Sequence, residues 1–384
     1  MRKIAIPLTL AASLLTLGVT AAQASAATST VYVSPSGMSG ATDTSCSTAA
    51  YTDINAAITA SSSGGTVVVC KGTYHTQAVV NKPLTLAGRS GAVINAKGQT
   101  PLTIGPVTLP GSIGIGVLET TKARVSGFKV IDASFDAILV GLSSHITVTG
   151  NVLLHNGDVG VDLNGASWSQ VTHNVSKYNA GGGFLVADDV GATSHNTVAW
   201  NVASDNPGGC GVIVAGHSTS GVTHNLIAHN RITDNGTLKS SGGGAGVVIA
   251  TEVPGETVAD NTVEYNTIYG NGLSGVTIHA HLPGQHLNGN RIIDNRIGIN
   301  NTLGDPIDLA TSPSSKKNVA VADRRTTGIL VGAASSIKVL ISHNYIVSDH
   351  YGIFLEGVGK VVHATLRKNH FRHVAVLVKR VRVS

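Results

Sequence analysis

One phrase, rewritten with small changes along most of the chain, limits what this protein can fold into. It reads Gly183-Phe-Leu-Val-Ala-Asp-Asp189, Gly211-Val-Ile-Val-Ala-Gly-His217, Gly246-Val-Val-Ile-Ala-Thr-Glu252 and Gly275-Val-Thr-Ile-His-Ala-His281. Aligned starts also fall at Ala137, Gly160, Gly328, Gly352 and Ala375, with successive spacings of 23, 23, 28, 35, 29, 53, 24 and 23 residues. A unit of about 23 residues that recurs, sometimes lengthened by an inserted loop, is the signature of a solenoid.

Inside the unit, the first and third residues after the start are apolar throughout, from Val161 and Leu163 to Val376 and Val378. Alternate residues of a strand face one side, so these positions are expected to fill the interior. The second, fourth and sixth positions then face outward. Before several starts stand asparagines five apart, such as Asn196, Asn201 and Asn206, or Asn261, Asn266 and Asn271. Asparagine tolerates left-handed turns, and stacked turns let one amide bond the next, so a ladder is expected. His75, His145, His155, His173, His195 and His224 fall at turn or ladder positions and read as structural. The 46 glycines, 12% charged residues and 42% hydrophobic residues agree with a β-rich repeat around an aliphatic core.

The chain opens with Met1-Arg-Lys3, an apolar run from Ile4 to Val19 and small-residue sites around Ala24, a secretory signal peptide over residues 1–26. Residues 27–384 form the expected mature domain, with no stable membrane span, and the expected location is secreted or extracytoplasmic. Loss of Arg2 and Lys3 lowers the formal charge of +5 by two. The remaining mild basicity suits an anionic polymer or cell-wall surface and is too weak to indicate nucleic acid. An N-terminal cap is expected over residues 31–75. It holds a strand at Val31–Val33, a short amphipathic helix within Tyr51–Ala60 capped by Thr52 or Asp53, and a strand at Thr66–Cys70. Cys46 and Cys70 both lie in this segment and are expected to pair, whereas alternation points Cys210 inward as a buried thiol.

The repeat of about 23 residues, the aliphatic stacks, the Asn-x-Val/Ile turns and an opening helix followed by Val67-Val-Val-Cys-Lys-Gly-Thr-Tyr74 resemble the right-handed parallel β-helix superfamily. The resemblance spans roughly Val31 to Val383. It implies an all-β, single-stranded right-handed parallel β-helix with a short N-terminal capping helix. That superfamily includes pectate-lyase-like lyases, uronan epimerases, glycoside hydrolases and a copper-site maturation protein of nitrous-oxide reductase, so the resemblance identifies fold more closely than function.

The chemistry is expected where the repeat changes. Coils of such a helix stack at roughly 4.8 Å, so the sixth-position residues Asp189, His217, Glu252 and His281 would form an outward row about 14 Å long. The adjoining fourth position holds Ala187, Ala215 and Ala250 before His279. Smooth alanines beside ionisable groups would make a groove for a chain-like ligand. The longest insertion, residues 297–327, carries Asp305, Asp308, Arg324 and Arg325 and could roof that groove. Asp189, His217, Glu252, His279 and His281 are therefore the expected catalytic residues. Asp188, Asp305, Arg324 and Arg325 are the expected substrate contacts. A carboxylate and a histidine can remove and deliver protons on a uronic-acid polymer, and a carboxylate pair can hydrolyse a glycosidic bond.

His217, Glu252, His279 and His281 would also suit a divalent metal, whether calcium, zinc or copper. The plain alternative is a solvated rim on a non-catalytic surface solenoid. Specific enzyme motifs are missing: Asp305-Pro-Ile-Asp308 is near the Asp-Pro-His-Asp string of alginate epimerases but lacks its histidine. The second position is apolar at Leu185, Ile213, Val248, Leu330, Phe354 and Leu377, and the chain lacks a closing amphipathic helix at its end. Both features favour a homo-oligomer.

Overall fold

Short aliphatic strands separated by asparagine turns cannot bury both faces alone, so each coil depends on the next for its hydrogen bonds and its core. The structure, a computed structural model, describes residues 29–105, 107–252, 254–280, 282–303, 325–358 and 362–383. The expected signal peptide lies outside them, as do His281, Asp305, Asp308 and Arg324. Three long parallel sheets of 12, 11 and 11 strands form the faces of a right-handed β-helix. One coil runs Thr197–Ala199 in the first sheet, Val202–Ser204 in the second and Cys210–Gly216 in the third. The next repeats this with Leu226–Ala228, Arg231–Thr233 and Val247–Thr251. A continuous apolar core runs through the stack from Val33 to Val362.

At the N-terminal end the helix α1, Ile54–Ala60, buries Ile54, Ala57 and Ile58 over the first coil, and Asp53 caps it by accepting the Ala56 amide at 2.7 Å. Cys46 and Cys70 form the expected disulfide, with Cα atoms 5.7 Å apart. Closing that 24-residue separation is worth about 3 kcal/mol on the loop-entropy scale.

The asparagines form three buried ladders. In one, the Asn201 amide N–H and side-chain NH2 both donate to Asn230 Oδ1, and Asn230 donates in the same way to Asn266. The side-chain NH2 of Asn230 also reaches the Val198 carbonyl at 2.8 Å, so each amide is satisfied within the core. Parallel ladders pass through Asn196, Asn225 and Asn261, and through Asn206, Asn235 and Asn271. Residues just before the ladders take left-handed conformations, among them His195, Trp200 and His229. Stacking of coils then lays their rings face to face: Trp200 and His229 centroids are 4.1 Å apart, and His229 and Tyr265 follow at 5.0 Å.

The glycine that opens each phrase is a packing requirement. A Cβ on Gly246 would lie 2.3 Å from Ile268 Cγ2 and 2.9 Å from the Asn271 amide nitrogen, and Gly211 and Gly275 meet equivalent groups. Gly211 therefore takes an inward position directly before the inward Val212, and strict alternation fails there. Cys210, expected inside, turns out instead to the outer face, where it packs with Ile213, Ala245 and Val248.

The final coil also departs from the expected alignment. Ile353 pairs with Val378 and Tyr351 with Val376, a slip of two residues from the alignment on Ala375. Leu330 and Phe354, outward and apolar, are covered by Tyr351, Val376 and Val381.

Asp349 ends one ladder, its Oδ1 accepting the Asn300 amide at 2.9 Å where other coils place asparagine. Burial pushes its pKa up to about 7, although the Asn300 bond opposes the shift. The folded value lies above the unfolded value near 4, so this group's contribution to stability falls as pH rises from about 4 to 7 and stays lost above. Asp349→Asn should raise the melting temperature at pH 8 by several degrees and leave it nearly unchanged at pH 4, as followed by circular dichroism. An equal shift at both pH values would remove the ionisation account.

Candidate functional site

The outer face of the third sheet carries the strongest concentration of perturbed ionisable groups. Its strands Gly182–Ala187, Cys210–Gly216, Val247–Thr251 and Val276–Ala280 pair in register, setting Ala187, Ala215, Ala250 and His279 side by side. Leu185, Ile213, Val248 and Thr277 form the neighbouring outward column. Together these two columns floor a cavity of about 420 Å3, bounded by Asp158, Cys210, His217, Glu252, Leu273 and His279. The mixture of an apolar floor and a few polar groups at the rim is what a ligand site requires.

Asp189, His217 and Glu252 follow the strands of three successive coils. His217 Nδ1 stands 2.9 Å from Asp189 Oδ1. The side-chain NH2 of Asn164 donates to the other Asp189 oxygen at 2.7 Å, holding the carboxylate in place. The Asp189 hydrogen bond, then its charge and that of Glu252, lift the His217 pKa to about 9 against the opposing effect of burial. Burial alone would raise Asp189, but the hydrogen bond and charge of His217, followed by Asn164, hold it below the usual carboxylate range. His217 is thus a cation at neutral pH, with Nδ1 committed to Asp189 and Nε2 left for the cavity.

Behind this pair lie carboxyl groups that the repeat did not single out. Asp136 and Asp162 are fully buried, and desolvation raises both well above the ordinary value, with repulsion from Asp162 adding to the shift of Asp136 and repulsion from Asp189 adding to that of Asp162. Asp158, at the cavity edge, is raised by burial and by Asp189, with His217 opposing. The available signal was Asp162 itself, an acid in an outward column that reads Leu139, Leu185 and Ile213 in neighbouring coils. Buried Glu256 supports the turn after Val247–Thr251 by accepting the Glu252 amide N–H.

Asp188 does not serve as an exposed substrate contact. It is completely buried, and its carboxylate accepts N–H groups of His217 and Gly221 at 2.7 Å and of Ser218 at 3.0 Å. Fifth in its phrase, it points inward and anchors the loop that carries His217. Arg325 sits away from the cavity lining, where its guanidinium meets His350 at 2.8 Å. Among the described residues, no three His, Cys, Asp or Glu side chains stand together as a metal-holding group.

A family model described as "Right handed beta helix region" matches residues 54–203 and 114–375. Among solved structures, the chain is similar to the A-module of Azotobacter vinelandii mannuronan C-5 epimerase AlgE6, with TM-score 0.58 and 17% identity over 86% of this chain and 94% of that one. The corresponding AlgE4 A-module gives TM-score 0.55 and 18% identity over 86% and 95%. PfbA, a surface adhesin of Streptococcus pneumoniae, gives 0.54 and 12% over 85% and 86%. No curated protein matches the chain by sequence. At these identities the likeness is one of fold.

The Asp189–His217 pair makes a direct prediction. Asp189→Asn should bring the His217 pKa down from about 9 toward the ordinary value near 6.5, read from the imidazole proton shifts in an NMR titration. An unchanged titration would show that another group holds the charge on His217.

Proposed function

Because the chain belongs to the right-handed β-helix family, with its catalytic repertoire resting on grafted sites rather than on fold, we propose that it is an exported enzyme acting on a uronate-containing polysaccharide. The observation that carries this reading is the groove itself: a cationic His217 braced by Asp189, with Glu252 one coil away, above a floor of alanine and aliphatic side chains. A sugar chain has alternating apolar and hydroxyl-bearing surfaces, and an open apolar trough with polar edges complements both. The Cys46–Cys70 disulfide supports an oxidising compartment. The likeness to two mannuronan epimerase modules supports the polymer class by analogy of fold only.

In the reaction, the Glu252 carboxylate removes the proton beside the uronate carboxyl group, at C5. Electrons from that C–H bond form a C4–C5 double bond as the C4–O glycosidic bond breaks. His217 Nε2–H gives its proton to the departing oxygen, and its charge offsets the negative charge that develops on the sugar. Returning a proton to C5 from the opposite face, before C4–O cleavage, gives epimerisation from the same groups. His279 also lines the cavity, where it would meet the sugar ring.

Incubation with alginate, polygalacturonate and other polyuronates should produce ultraviolet absorbance from unsaturated uronate or a changed epimer ratio by NMR. His217→Ala and Glu252→Gln should each lower kcat by at least about 100-fold, the range of one general acid–base group, with unchanged folding. Absence of unsaturated product, epimerisation and new reducing ends across the panel would leave a binding solenoid as the function. New reducing ends without unsaturation would replace elimination by hydrolysis.

A further inference from the structure

We propose that the C-terminal coils carry a second binding site, a cationic groove on the first sheet that holds an acidic polysaccharide chain outside the catalytic cavity. It borrows from the proposed function only the class of polymer, since the groove lies on another face of the helix. From Thr326 onward the sequence has eight Lys and Arg residues against two acids, Asp349 and Glu356. Both acids are buried. The chain's whole formal excess is only +5, so the positive charge is segregated into its last coils.

Part of that charge converges on a cavity of about 540 Å3 lined by Arg291, Lys338, His363, Thr365 and Arg367. The strand registers explain the convergence. Arg291 pairs with Leu340 and Leu340 with Thr365, while Lys338 pairs with His363, and Arg367 lies two residues beyond Thr365. All therefore emerge on the outward side of a sheet whose inward residues are Ile292, Ile341 and Leu366. Arg291, Lys338, His363 and Arg367 are exposed. Among the described residues, the ion pairs are Lys177–Asp205 and His217–Asp189, and neither involves this groove. Asp260 leans over Gly289 at one edge without forming an ion pair with these cations.

Three unpaired cations around a shallow apolar strip require a counter-charge to be at their most stable. Guanidinium groups bind carboxylates through two parallel hydrogen bonds, and Leu340 and Thr365 leave an apolar and hydroxyl surface for the sugar between successive carboxylates. Single-stranded nucleic acid is the less suited occupant, because no Trp, Tyr or Phe ring lines the groove for base stacking.

The test is affinity electrophoresis of the full chain in native gels cast with sodium polygalacturonate, alginate, neutral dextran or single-stranded DNA. Polyuronate should retard the wild type at about 20 mM salt and much less at about 0.3 M, where salt screens exposed charges strongly. Dextran should have no effect. Replacing Arg291, Lys338 and Arg367 together by Gln should weaken polyuronate binding at least tenfold with an unchanged thermal melt. A milder double variant, Lys338→Gln with Arg367→Gln, should give an intermediate loss. Unaltered retardation of the triple variant overturns the inference, as does retardation by DNA with none by polyuronate. Groove-dependent retardation of a protein that lacks catalytic activity would sustain this site while the proposed reaction failed.

Discussion

The amide stack is the interaction on which the coils depend. Within a ladder, an asparagine such as Asn230 accepts two N–H groups from the coil before it and returns its own to a backbone carbonyl and to the coil after it, as Asn201, Asn230 and Asn266 do in succession. A buried amide left unpaired would cost about 1–3 kcal/mol, so a coil cannot turn its ladder residue away without penalising its neighbour. The ladder fixes where each turn occurs, and the strands between turns inherit their register from it. A chain rich in short, weak strands thereby acquires one arrangement.

The same stack explains the glycines. Where the chain leaves the second sheet and begins the third, Gly211, Gly246 and Gly275 lie against an isoleucine and the ladder amide of their own coil. A methyl group there would overlap atoms that the ladder holds fixed, and forcing extra volume into such a site costs about 1–3 kcal/mol. With no side chain, glycine occupies an inward position, and the strand then runs with its next inward residue directly adjacent. The outward columns of the third sheet follow from this local shift, which places Cys210 beside Ile213 and Val248 at the cavity wall.

The period, the ladders and the aliphatic stacks could be read from residue order because each follows from a repeated local rule, the capping helix because Ile54, Ala57 and Ile58 share one helical face, and the disulfide because Cys46 and Cys70 share the opening segment. What alternation could not show was the extra inward residue at Gly211, since a glycine leaves no mark of its direction. The last coil hid a different ambiguity. Strands Tyr351–Val358 and Val376–Val383 are both rich in apolar residues, so a slip of two still leaves an aliphatic residue, Val378, on the core while Val376 joins the outer cluster beside Tyr351. At the site, following two outward columns of the phrase led to Asp189, His217 and Glu252 in one and to His279 in the other. It passed over Asp136, Asp158 and Asp162, whose influence on the column arises through space between coils.

Those acids change what the groove presents to an anionic polymer. Five carboxylates near one imidazole would repel a polyuronate, and self-repulsion would destabilise the fold around them. Burial instead favours the protonated forms of Asp136, Asp162 and Asp158, while His217 and Asn164 stabilise the charge on Asp189. The negative charge of Asp189 is in turn balanced by the imidazolium it supports. The wall of the cavity can therefore hold the acidic groups needed to orient and charge a histidine and still admit a chain of carboxylates. A row of acids spaced along the sequence would not have this property; it arises because stacking coils buries some of the carboxyls and pairs another.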